Sequence, residues 1–209
     1  MLTKFKKRFQ SWMVAEARLA RRAGLTPNQV SAVGILLALA SGISYWMSGA
    51  DLHIGDSELL LVLGSIFLLA SGFCDALDGA LARLHGEVTV LGGFLDSLLD
   101  RYADAAIYSG LILGGLCDLS WGLVALVGSL LVSYTRARAE AAGVPMETVG
   151  LVERAERLLI IAAASFLNLL WAESLRWSVA ALAVLTNLTV AQRVAYFRSK
   201  AASQERDTS

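Results

Sequence analysis

The chain has 209 residues, 56% of them hydrophobic, a mean hydropathy of +0.59 and no net formal charge. A soluble domain is typically about 45–50% apolar, so this composition excludes an ordinary soluble protein, and the balanced charge without a basic tail argues against a nucleic-acid partner. Only two prolines occur, Pro27 and Pro145, and the apolar residues come in long runs, not in the short alternating segments of a β-barrel. The expectation is an all-α integral membrane protein with a single domain over 1–209. Cys74 and Cys117 lie in or beside apolar stretches, match no zinc spacing and read as small buried hydrophobes. No cleavable signal peptide is expected, because no apolar core closely follows the basic N-terminus.

In chain order, residues 2–22 come first and are amphipathic. Leu2, Phe5, Phe9, Trp12 and Met13 recur at helical spacing, with Lys4, Lys6, Lys7 and Arg8 between them. This pattern predicts an interfacial helix on an anionic membrane face; a solvated soluble helix is the alternative. Thr26-Pro27-Asn28 follows, and Pro27 suits the first position of a helix. Six apolar segments come next, over about 28–49, 57–83, 91–115, 119–141, 151–171 and 175–198. Each is near the roughly 20 residues needed to cross a bilayer. Their connections are short, so neighbouring helices run antiparallel, and a polar tail over 199–209 is expected to fray.

With a cytoplasmic N-terminus, all but Arg176 of the 18 Lys and Arg residues lie at or near cytoplasmic ends. That is a strong positive-inside pattern. The expected architecture is six transmembrane helices over 28–198 preceded by an N-terminal interfacial amphipathic helix, in the cell membrane, with both termini cytoplasmic.

The runs Asp75-Ala76-Leu77-Asp78-Gly79-Ala80-Leu81-Ala82-Arg83 and, eight residues later, Gly92-Gly93-Phe94-Leu95-Asp96-Ser97-Leu98-Leu99-Asp100 put four carboxylates into apolar helices. One charged side chain at the bilayer centre costs about 2.5–3.5 kcal/mol on insertion scales, so four unpaired ones would cost roughly 10 kcal/mol or more. They need cations or a water-filled cavity. Asp75 and Asp78 are i,i+3 neighbours, and Asp96 and Asp100 are i,i+4 neighbours, so each pair shares a helix face. The first pair lies late in an inward-running helix and the second early in an outward-running one, so all four meet on the cytoplasmic side. Oxygen ligands without His or Cys suit Mg²⁺ or Mn²⁺. Four carboxylates can hold two such ions, as in two-metal phosphoryl transfer. Gly79 lets a ligand approach the backbone, Arg83 offers a planar fork to a phosphate, and Gly92 and Gly93 permit close packing. The competing explanation is that some carboxylates merely pair with Arg83 and Arg101. Asp104, a turn beyond Asp100, is either a supporting partner of the site or a simple pair with Arg101.

The arrangement D-x-x-D-G-x-x-A-R, eight residues, G-x-x-x-D-x-x-x-D is complete from Asp75 to Asp100. It resembles the signature of the CDP-alcohol phosphatidyltransferases, and the six-span layout extends the likeness over nearly the whole chain. The resemblance implies a homodimer of six-helix protomers. It also implies a reaction in which an acceptor hydroxyl attacks the lipid-bearing phosphorus of a CDP-linked lipid and CMP leaves. By that likeness Asp75, Asp78, Asp96 and Asp100 bind two metal ions, and Asp100 is also the general base. Gly79, Ala82 and Arg83 contact the cytidine diphosphate together with Thr89, and Asn28, Gln29, Val30 and Ser31 close over the nucleotide.

Ser133-Tyr134-Thr135-Arg136-Ala137-Arg138 ends the fourth span, Glu153-Arg154-Ala155-Glu156-Arg157 opens the fifth, and Arg193 lies near the end of the sixth. All fall on the face that carries the aspartates. Converging arginines suit an acceptor with its own phosphate. Positive-inside anchoring with i,i+4 pairs such as Glu153–Arg157 explains them equally. These segments resemble the branch that makes phosphatidylinositol phosphate or archaetidylinositol phosphate, whose acceptor is inositol 1-phosphate. The likeness places the acceptor phosphate on Ser133, Arg136, Arg154 and Arg193; the branch often has lysine where Arg136 stands. Glycerol 3-phosphate, as in phosphatidylglycerophosphate synthesis, is the competing acceptor. From another class, an ion-coupled transporter also uses intramembrane carboxylates, but the aspartate motif has no internal repeat here.

Overall fold

The computed structural model describes residues 13–49, 56–146 and 149–207, and its regular elements are all helices. α1 covers 13–22. α2 spans Pro27–Gly49, α3 Ser57–His85, α4 Val90–Leu113, α5 Leu119–Ala141, α6 Arg154–Asn168 and α7 Ser174–Asp207. The remainder of the interfacial helix expected over 2–22, with Leu2, Phe5, Phe9 and Trp12, lies outside the described residues. What is described of α1 is two-faced. Met13, Ala17 and Ala20 are buried against Val30 of α2 and Leu77, Ala80 and Leu81 of α3, while Arg18, Leu19, Arg21 and Arg22 are exposed.

The helix ends are set by local chemistry. Thr26 and Gln29 form a reciprocal capping pair at the start of α2: the Gln29 N–H donates to Thr26 Oγ1 (3.4 Å) and the Thr26 N–H to Gln29 Oε1 (3.0 Å). Pro27, with no N–H to orphan, takes the first helical position. α3 ends at Gly86, whose φ of 65° lies in the left-handed region that glycine adopts freely. Thr89 then caps α4 by accepting the Gly92 N–H at 2.9 Å. Only Glu87 and Val88 separate the two caps, and the chain reverses tightly between the aspartate-bearing ends of α3 and α4.

Small residues let the helices approach closely, as is usual in membrane bundles. A Cβ on Gly42 of α2 would collide with the Ala106 carbonyl of α4, and one on Gly110 with the Gly42 carbonyl. The main core runs through Tyr45, Leu68, Ile107, Leu111, Ile161 and Leu182. Its polar atoms are satisfied internally: Tyr45 Oη lies 3.0 Å from Ser165 Oγ, and Ser41 donates to the Gly64 carbonyl at 2.7 Å. Cys117 is buried in this core, and burial pushes its thiol up to about 11, with Asp118 adding to the rise and Arg176 opposing it.

Among the described residues four helices, α2, α3, α5 and α7, are long and apolar enough to cross a membrane. The protein is a multi-pass membrane protein. α4 departs from that pattern because it carries Asp96, Asp100, Arg101 and Asp104. α6 has only 15 residues, about 22 Å at 1.5 Å per residue, short of the roughly 30 Å hydrocarbon core. The segment expected as a span over 151–171 therefore has irregular ends. α3 has 29 residues, so Asp75 and Asp78 stand about 27–32 Å along it, at the far edge of a hydrocarbon layer that begins at its N-terminus. α7 continues as helix to Asp207, past the expected fraying point at 199; Lys200, Ala201, Ala202 and Gln204 are good helix formers.

Candidate active site

The hairpin of α3 and α4 brings the carboxylates together. One oxygen each from Asp75, Asp78 and Asp96 lies within 4.8 Å of the others. Asp100, a turn beyond Asp96, lines the same small cavity, together with Ser31 and Gly34 of α2, Ser71 of α3, and Arg154 of α6. Asp78 is buried and accepts a hydrogen bond from the Ser31 hydroxyl. This donor set is hard oxygen only, is converging and is partly shielded from water. It fits a divalent cation such as Mg²⁺ or Mn²⁺. Asp100 stands outside the tightest group, and Arg154 Nη1 bridges it and Asp75, at 2.7 Å and 2.9 Å.

On one side of the aspartates lies a groove of about 570 Å³. Asn28, Ser31, Gly79, Ala82, Arg83 and Thr89 line it, with Asp78 and Asp96 at its inner end. A Cβ on Gly79 would stand 3.2 Å from Arg83 Nη1, so the glycine leaves the guanidinium its room. Gln29 and Val30 do not face this groove. Gln29 is spent on the Thr26 cap, and Val30 is buried against α1 and α3. The helical period explains both, since Asn28 and Ser31 share a face and Val30 lies around the helix from them. The groove also contains Glu87 and Val88 of the α3–α4 connection. Glu87 is tied to Arg21 of α1 by a 2.6 Å ion pair.

On the other side lies a pocket of about 200 Å³. Ser133, Arg136, Arg154 and Arg193 all line it, with Asp100 at the boundary to the aspartate cavity. Arg193 is buried and braced by backbone: its Nε donates to the Val149 carbonyl at 2.8 Å and its Nη1 to the Val132 carbonyl. Arg136 is half exposed and pairs with Glu140 at 2.8 Å. Arg101, Arg157 and Glu153 complete the charged lining. The pocket's arginines outnumber its two acids, so it suits an anion.

Two residues that support this pocket are less evident from sequence. Asp104 is buried, and so is its partner Arg157, whose Nη2 donates to it at 2.7 Å. Asp104 also accepts from Arg154 Nε at 3.3 Å. The local pairs Asp104–Arg101 and Glu153–Arg157 do not form; Arg101 donates to the Ser97 carbonyl, and the Glu153 N–H donates to Glu156 at 3.0 Å. The signal in the sequence is the third step of an i,i+4 series, Asp96-Asp100-Asp104, facing arginines three apart at 154 and 157.

The chain is similar to known proteins along most of its length. The family model described as CDP-alcohol phosphatidyltransferase matches residues 24–191. The archaetidylinositol phosphate synthase of Pyrococcus horikoshii is 37% identical over 194 residues, covering 93% of this chain and 95% of the relative. A crystal structure of Mycobacterium tuberculosis phosphatidylinositol phosphate synthase with CDP-DAG bound superposes with a TM-score of 0.74 at 30% identity, covering 88% of this chain and 92% of that one. The same enzyme in complex with manganese and citrate gives a TM-score of 0.74 at 30% identity, covering 88% of each chain.

Proposed function

The chain belongs to the CDP-alcohol phosphatidyltransferase family, and on that premise we propose that it transfers the lipid phosphoryl group of a CDP-linked lipid to a hydroxyl of inositol 1-phosphate, releasing CMP. The observation that carries this reading is positional. The aspartates stand between a groove with room for a nucleotide and an arginine pocket with room for a small phosphorylated alcohol.

In this reading Asn28, Ser31, Gly79, Ala82, Arg83 and Thr89 hold the cytidine diphosphate, and Gln29 and Val30 support that segment of α2 without touching it. Arg136, Arg154 and Arg193 take the acceptor's phosphate through charge-assisted hydrogen bonds, with Ser133 beside them. Asp75, Asp78, Asp96 and Asp100 hold two Mg²⁺ ions, or Mn²⁺ in their place. When bound, such ions neutralise the pyrophosphate and stabilise the leaving CMP. Asp100, at the boundary of cavity and pocket, takes the proton of the acceptor hydroxyl. The acceptor oxygen then bonds to the lipid-bearing phosphorus while the bond from that phosphorus to the CMP oxygen breaks.

The same reading covers the whole chain as one membrane domain. α4 and α6 complete six spans with α2, α3, α5 and α7, their charged or short ends meeting at the site. Both termini and the site face the cytoplasm, supported by the distribution of Lys and Arg, and the location is the cell membrane. The functional unit is a homodimer, supported by the family likeness. The test is CMP release from CDP-archaeol and from CDP-diacylglycerol with inositol 1-phosphate, free inositol, glycerol 3-phosphate and serine as acceptors. Inositol 1-phosphate is expected to be the preferred acceptor; preference for glycerol 3-phosphate would move the chain to another branch of the family.

A further inference from the structure

Arg154 is in two places at once. Its Nη1 lies 2.9 Å from Asp75 and 2.7 Å from Asp100, inside the aspartate cavity, while its side chain also lines the pocket of Ser133, Arg136, Arg157 and Arg193. The contacts at Nη1 are ion pairs without hydrogen-bond alignment. The other end of the guanidinium makes an aligned hydrogen bond. Nε donates to Asp104, and Asp104 is itself fixed by the buried Arg157 at 2.7 Å. The guanidinium is therefore held at Nε by an aligned hydrogen bond of 3.3 Å and at Nη1 by charge alone, at 2.7 Å and 2.9 Å.

A divalent ion and this guanidinium compete for the same oxygens. Asp75 and Asp100 crowd their charges into a partly shielded cavity and need a positive partner, and Arg154 supplies one. A doubly charged ion on those carboxylates supplies more and repels a neighbouring cation. Arg154 borders both spaces, so a turn that keeps its Nε on Asp104 would aim Nη1 at an anion in the adjoining pocket.

Building on the metal and acceptor sites proposed above, we propose that Arg154 is a transferable counter-charge. It neutralises Asp75 and Asp100 when they hold no divalent ion and turns to the acceptor's phosphate when they do, with Asp104 as the positioning residue at the pivot. Divalent-ion binding and acceptor binding are then positively coupled, and by linkage each strengthens the other by the same factor. Typical couplings between sites are about 5–150-fold, so the acceptor's affinity should rise by about tenfold or more on loading with Mn²⁺.

The coupling alone would not single out Arg154, because a phosphate that touched the ion directly would give it too. The sign of one variant does. Mn²⁺ affinity is measured on the full chain in nanodiscs by electron paramagnetic resonance of the free ion. Inositol 1-phosphate binding is measured by equilibrium dialysis with and without Mn²⁺. In Arg154→Gln the cavity loses its internal competitor, so Mn²⁺ should bind more tightly than to wild type, while inositol 1-phosphate binds more weakly and with little response to Mn²⁺. Asp104→Asn should reduce the coupling and Asp104→Glu should restore part of it, a pattern that a loss of packing would not give.

Unchanged or weaker Mn²⁺ binding in Arg154→Gln overturns the proposal while leaving the proposed function intact. Coupling of full size in that variant overturns it as well. Absence of Mn²⁺ binding to wild type, or of inositol 1-phosphate binding at any Mn²⁺ level, overturns the site assignments and this proposal with them.

Discussion

Asp104 on α4 and Arg157 on α6 form a buried ion pair 2.7 Å long, with side chains only 5% and 2% exposed. It joins α4 and α6, neither of which is an apolar span in its own right, and Arg157 lines the arginine pocket. Removing one member of a buried pair leaves an uncompensated charge and costs about 3–5 kcal/mol, whereas replacing both with apolar groups is often near neutral. Arg157→Met should therefore destabilise the protein, with Arg154 Nε left as the remaining partner of Asp104, and Asp104→Leu with Arg157→Met should cost less than the two single changes together. Unfolding of the four variants in detergent, read as a double-mutant cycle, measures this. Simple additivity would show that the pair does not act as a unit.

The contact between α2 and α4 depends on glycine. A Cβ at Gly42 meets the Ala106 carbonyl and one at Gly110 meets the Gly42 carbonyl, neither of which can move as a side chain can. Gly42→Ala and Gly110→Ala should each cost about 1–3 kcal/mol through overpacking. Gly93→Ala is the control, since a Cβ there meets nothing within 4 Å. Equal melting temperatures for the three variants would contradict the close approach of these helices.

Much of the site could be read from the sequence because its signals are local. Aspartates in an apolar helix are costly, and i,i+3 and i,i+4 spacing fixes which of them share a face; hence Asp75, Asp78, Asp96 and Asp100 could be grouped without coordinates. Asn28 and Ser31 follow the same logic, and Thr26 with Gln29 carries the capping pattern at the start of α2. What the sequence hid is long-range choice between partners. Asp104 has Arg101 three residues before it, yet it pairs with Arg154 and Arg157, some fifty residues away, while Arg101 turns back to the Ser97 carbonyl. Counting apolar residues also overstates regularity at 151–171, where the chain spends several residues on a capped entry and a turn and α6 keeps only 15.

Acceptor binding and nucleotide binding should separate kinetically. Arg136 is the cleanest probe of the acceptor pocket, because it is half exposed and its loss strands no buried group. Arg193→Ala would also leave the Val132 and Val149 carbonyls without their donor. If Arg136 holds the phosphate equally in ground and transition states, Arg136→Ala raises the acceptor KM and leaves kcat near its wild-type value. A hydrogen bond to a charged group is worth roughly 1.5–3 kcal/mol, so the rise should be about tenfold to a hundredfold, with little change in the KM for the CDP-lipid. Arg83→Ala should show the reverse pattern. A normal acceptor KM in Arg136→Ala would reduce that arginine to topological anchoring.

The two ends of α7 should lie on opposite sides of the membrane. Glu173→Cys, beside the N-terminus of the helix, and Lys200→Cys, near its other end, should react with a membrane-impermeant thiol reagent from opposite faces of sealed vesicles. Lys200 should be the cytoplasmic one. Labelling from one side would break the six-span arrangement.

The most direct measurement is acceptor-dependent CMP release by wild type and Asp100→Asn, each with Mg²⁺ and with chelator. Wild type should turn over with Mg²⁺ and stop in chelator. Asp100→Asn should remain folded and lose at least the 10²–10⁴-fold that general acid–base help typically contributes. Turnover by wild type in verified absence of metal, or near-normal turnover by Asp100→Asn, would contradict an aspartate-centred, metal-dependent transfer.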